Sequence, residues 1–167
     1  EARWQAAQVQ QGLSHLDLQL APELARIAAY PWNKIYRTDF LRDNDISCGQ
    51  TEVHNDIALH WLSFIRAKTI LCTDLLCCEH VVAEGRNHLT NRNGSERLQV
   101  FEALAEVLTR AADLSPDWQF AFACFYLDLL GWARDRTQPE WLAEFDLRAR
   151  TLLRDRIDQQ LFARINR

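Results

Sequence analysis

Glu52, Asp56 and His60 recur every four residues, a spacing that sets two carboxylates and an imidazole on one face of a helix. Such groups on adjacent turns can hold a divalent cation, as inward-facing side chains do in metal-bearing helical bundles. The di-iron arrangement takes a Glu-x-x-His pair from each of two helices, and no Glu-x-x-His occurs in this chain. A solvated first turn accounts for the same residues, because acids are favoured at helix N-termini. Cys72, Cys77, Cys78 and His80 form a denser group of zinc-type ligands. Structural zinc takes cysteines two to four residues apart on a turn, whereas these are spaced by five and then one. Buried thiols are the better account of them.

Asp128 lies within a run in which twelve of fifteen residues, 118–132, are apolar. A charge there is costly unless paired, so a partner is expected in Arg66, Lys68 or an arginine of the C-terminal segment. The functional alternative is a pocket between the apolar segments 52–84 and 118–132. Trp61, Phe64, Phe122, Phe125, Tyr126 and Trp132 would line it, and His60, Lys68 and Asp128 would be its polar groups. The same aromatic residues are more often simply core. No Walker-type loop, Cys-x-x-Cys, His-Glu-x-x-His or Gly-x-Ser-x-Gly is present, and no cofactor is indicated.

These residues need elements to position them. The run 118–132 is apolar around its circumference, which marks a helix surrounded by others. The chain is therefore read as all-α, a single domain of six or seven helices around this central apolar helix. Scarce Gly and Pro (five and four residues) agree with few tight turns. Helices are expected at 2–19, 22–30, 32–41, 96–113 and 139–166, with Ser95 capping the helix at 96. Thr51 is the expected N-cap of a long helix running to Glu84. Thirty-three residues would span roughly 50 Å, so a break is expected near 68–74. The polar stretch 85–95, with Arg86, His88 and Arg92, reads as a loop.

The last helix carries Leu142, Phe145, Ala149, Leu152, Leu153, Ile157, Leu161 and Ile165 at spacings of three and four. With Arg148, Arg150, Arg154 and Arg156 beside this stripe, the segment could meet a second subunit. Arg148, Leu152, Arg156 and Leu161 are the candidate interaction face, and two-fold pairing is the commonest symmetric solution.

Net charge is −4, with −6 on residues 1–133 (11 basic, 17 acidic) and +2 on 134–167 (8 basic, 6 acidic). That balance lacks the basic footprint of a nucleic-acid binder. Five cysteines, an odd number, do not resemble a disulfide framework, and reduced thiols suit the cytoplasm. No stretch is long and clean enough to span a bilayer. The function expected on these grounds is a non-enzymatic binding or regulatory module. It would act through protein–protein contacts and self-associate as a homodimer through the C-terminal helix. The alternative is a small-molecule-binding or metal-dependent helical enzyme.

Overall fold

The computed structural model describes residues 2–79 and 92–166. Among these, eight α-helices and one two-stranded ribbon build an all-α fold around one core. The expected helix end at 80–84, His80, and the loop residues 85–91 with Arg86 and His88 lie outside the described residues.

The second half follows the sequence pattern closely. A 3-10 helix, Ser95–Gln99, leads into α-helix Val100–Arg110. Gly94, rather than Ser95, occupies the cap position. Pro116 and Pro139 each sit in the first turn of a long helix, Pro116–Arg134 and Pro139–Arg156, where a missing N–H costs nothing. The expected helix 139–166 is broken at Ile157, whose backbone is extended. Asp158 then caps a separate helix, Gln159–Ile165, by accepting a 2.8 Å hydrogen bond from the Leu161 N–H. Asp158→Ala is expected to cost about 1 kcal/mol of stability in urea unfolding, the usual worth of such a cap. No loss would mean that packing alone holds the last helix.

The first half departs from expectation. In chain order its helices are α1 (Ala2–Ala6), α2 (Ala21–Leu24), α3 (Thr38–Asp43) and α4 (Asp56–Arg66). The second-half helices are then α5 (Val100–Arg110), α6 (Pro116–Arg134), α7 (Pro139–Arg156) and α8 (Gln159–Ile165). The expected helix 2–19 stops after α1, because Gln8 and Gly12 take left-handed backbone, φ 54° and 76°. Ser14–His15 then forms strand β1. The segment 32–41 is a 3-10 turn, Pro31–Asn33, followed by α3.

The long helix 52–84 is in fact short. Thr51 does not cap it: residues 51–55 turn ahead of α4, with His54 at φ 64°. The break falls just ahead of the expected place. Ala67 is extended, and Leu71–Cys72 forms strand β2 antiparallel to β1, with Ser14 opposite Cys72. Leu16 N–H also donates to the Ile70 carbonyl at 2.9 Å.

α6 packs against α2, α5, α7 and α8 and is the hub of the helical array. It is not enclosed all round. Ala121, Phe122, Ala123, Tyr126, Leu130 and Ala133 are buried, while Gln119, Asp128 and Gly131 face solvent. The enclosed helix is α4, in which every residue from Ile57 to Phe64 is buried. It packs against α2, α5 and the Pro31–Asn33 turn. No helix among the described residues is long and apolar enough to cross a membrane.

Candidate functional site

The expected pocket is solid. His60 and Trp61 have no exposed surface and Tyr126 almost none. The Trp61 ring centroid lies 4.7 Å from that of Phe122 and 5.1 Å from that of Phe125, and His60 lies 5.0 Å from Phe64. Rings fill the space between α4 and α6 where a ligand was expected. The His60 Nε2–H donates to the Ala25 carbonyl at 2.7 Å, joining α4 to the end of α2. Burial, and next the Lys34 charge, push the His60 pKa down to about 3, against the pull of the Ala25 bond. The ring is therefore neutral at pH 7, and its Nδ1 has no hydrogen-bond partner among the described residues. Lys68 and Asp128 are both exposed. Asp128 has no salt-bridge partner among the described residues, because in water it needs none.

The metal set does not converge. Glu52 lies in the turn before α4, off the helix, and its carboxylate meets Arg92 at 2.5 Å. Asp56 opens α4, half-buried, and burial raises its pKa. His60 spends its one partnered nitrogen on Ala25. Among the described residues no three His, Cys, Asp or Glu side chains gather at a metal-binding distance. Cys72 is buried in β2, with its thiol pKa raised by burial, whereas Cys77 and Cys78 are exposed on the chain beyond.

The C-terminal interaction face is divided. Leu152 and Leu161 pack against the protein's own core, as do Leu153, Ile157 and Ile165. Arg148 is engaged by Glu144 and Glu102 within the chain, and of the four Arg156 alone is exposed. The large apolar residues that α7 and α8 do present to solvent are Leu147 and Phe162, each 61% exposed.

Two arrangements absent from the sequence reading stand out. The first is the connection between α2 and α3. Tyr30 is extended, as the residue before proline must be, and Pro31–Asn33 then turns back. This stacks the Tyr30 and Trp32 rings, with centroids 4.6 Å apart and planes 14° apart. Both rings are exposed, and Ile35 beside them is 98% exposed. Lys34 fixes the turn from within. Its ammonium donates to the Tyr30 carbonyl at 2.7 Å, to Asn33 Oδ1 at 2.6 Å and to the Ala28 carbonyl at 3.4 Å. Burial lowers the Lys34 pKa to about 8, opposed by the Asp56 charge. Tyr36 sits half-buried near the same carboxylate; burial first, then Cys48 and Asp56, push its pKa to about 12. Flanking the patch, Arg37 and Asp39 form an exposed ion pair at 2.5 Å. The usable signal was Tyr-Pro-Trp ahead of Ile35, a run whose apolar residues follow no helical period.

The second arrangement centres on Trp132, near the end of α6. The guanidinium carbons of Arg97 and Arg136 lie 4.8 and 4.5 Å from its ring centroid. His54 meets the same indole edge-on at 6.1 Å. Its Nε2 is buried without a hydrogen-bond partner among the described residues, and burial together with Arg97 lowers its pKa to about 4. Beside this stack a cavity of 420 Å³ opens between residues 92–93 and 135–139.

Comparison with protein-family models, with curated proteins and with solved structures finds no match to this chain.

Proposed function

We propose that this protein is a non-enzymatic helical binding module that acts through protein–protein contacts, with residues 30–36 as its contact surface. The observation that carries the reading is the outward Tyr30–Trp32 stack with Ile35 beside it. Tyr and Trp are the side chains that most often dominate the energy of an interface. Here they are held in place before any partner arrives, because Lys34 ties the turn to three backbone and side-chain oxygens. Pre-ordering of this kind lowers the entropy lost on binding. The free thiols, in the core and at the surface, support a reducing, cytoplasmic setting.

The partner we assign is a second copy of this chain. An isologous contact needs a surface that complements itself, and Arg37 beside Asp39 offers a cation and an anion that exchange across a two-fold axis. Pairing through the C-terminal helices would have to use Leu147 and Phe162, since Leu152 and Leu161 face inward. Sedimentation velocity at tens of micromolar separates the two surfaces. The expected result is a dimer that becomes monomeric on Ile35→Asp with Trp32→Ala and survives Leu147→Ser with Phe162→Ser. A monomeric parent protein overturns self-association, and the reverse pattern of variants moves the interface to α7 and α8.

A further inference from the structure

A different part of the molecule holds a cavity. The cavity beside Trp132 is lined by Arg92, Asn93, Asp135, Arg136, Thr137 and Gln138, among others. Its charges are not balanced alike. Arg92 is paired with Glu52, and Arg134 just outside is paired with Asp146 at 2.7 Å. Arg136 has no carboxylate within salt-bridge reach among the described residues; its Nη1 donates only to the Trp132 carbonyl at 3.3 Å. Its guanidinium lies over an indole that also carries Arg97, so two like charges share one ring. Arg97 adds to the positive potential there and Glu96 offsets it in part, so an anion against Arg136 is favoured. Arginine is the side chain best suited to a phosphate group, because its planar fork can bond two oxygens at once.

The frame around Arg136 is stiff. The Gln138 N–H donates to the Asn93 carbonyl at 2.8 Å, stapling the two walls together, and the buried Thr137 hydroxyl donates to the Ala133 carbonyl at 2.9 Å. The start of α7 offers little by itself: the Gln138 N–H is spent on Asn93, Pro139 has none, and the Trp141 N–H bonds Gln138. Recognition must therefore come from Arg136 and from the side chains of Asn93 and Gln138. Asp135 on the rim repels a bare anion but can accept a hydrogen bond from a hydroxyl next to it.

We propose that this cleft binds a phosphate-bearing small molecule, with Arg136 as the principal counter-charge and Asp135 selecting a hydroxylated ester over the free anion. The test is titration of the intact protein at low salt with inorganic phosphate and with glycerol 3-phosphate. The readout is the indole N–H resonance of Trp132, assigned by its loss in Trp132→Phe. Saturable shifts are expected, with tighter binding of the ester and at least tenfold weaker binding in Arg136→Ala. Arg136 is exposed, so that variant should fold, which circular dichroism checks. Asp135→Asn should bind inorganic phosphate more tightly and so narrow the gap between the two ligands. The idea is overturned if neither ligand saturates at millimolar concentration, or if Arg136→Ala binds as the parent does.

Discussion

Trp61→Ala is expected to lower the free energy of unfolding by about 3–5 kcal/mol, the usual cost of emptying a large aromatic site in a core. Trp61 has no exposed surface and meets Trp118, Phe122 and Phe125, so its loss leaves a void shared by α4 and α6. Three rings cannot all move to close it, because Phe122 and Phe125 are themselves stacked and Phe122 also abuts Tyr126. The indole N–H has no hydrogen-bond partner among the described residues, and that sharpens the comparison. Trp61→Phe gives up volume but also removes an unsatisfied buried donor, so it should cost about 1.5 kcal/mol or less. Urea unfolding with an unchanged slope reads both differences. A Trp61→Ala loss near that of Trp61→Phe would mean that the interior collapses freely, contrary to the interlocked rings described above.

Acidification should produce an effect of similar size. His54 has a pKa of about 4 and His60 of about 3 in the folded protein, against about 6.5 in an unfolded chain. Between those values the unfolded state binds the proton and the folded state does not, so stability falls as pH falls. The contribution is complete above pH 6.5. The His54 share, about 3 kcal/mol, is lost on approaching pH 4. His60 adds a limb of the same sign that continues towards pH 3. Asp56 works against both, since burial raises its pKa and protonation then relieves the folded state. His54→Asn is the informative variant, because asparagine tolerates the left-handed backbone at this position. Urea midpoints measured from pH 7 to pH 4.5 should decline steeply in the parent and about half as steeply in the variant, which keeps the His60 limb. Parallel curves would assign the acid sensitivity to other groups.

The sequence patterns carry different amounts of information in the two halves. At α6 and α7 a proline opens each helix, and apolar residues recur along its length, so local chemistry and tertiary packing agree. At 52–84 the same apolar richness covers a buried helix, a strand residue at Cys72 and exposed Leu75 and Leu76. Composition cannot separate these, because what ends α4 is the pairing of β2 with a segment far upstream. The stripe of the last helix was legible as a stripe, but not which surface it covers; Leu152 and Leu161 close their own core. Asp128 was misplaced for a related reason. A helix with twelve apolar residues in fifteen still keeps a solvent side when its neighbours cover only part of it. The Arg97–Trp132–Arg136 stack was beyond reach, because its first member comes from a different helix and the pattern holds no trace of that approach.

The ribbon of β1 and β2 has a consequence for the order of assembly. α5, α6 and α7 follow one another through short connections, so their contacts need little chain to be gathered. Setting Ser14 against Cys72 instead closes a long loop that contains α2, α3 and α4, and the entropy of that closure must be met before the pairing adds any stability. Two residues per strand are too few to hold such a loop shut by themselves. The ribbon is therefore a latch. It is expected to shut late, after α4 is seated in the core, and to fasten the amino-terminal segment there.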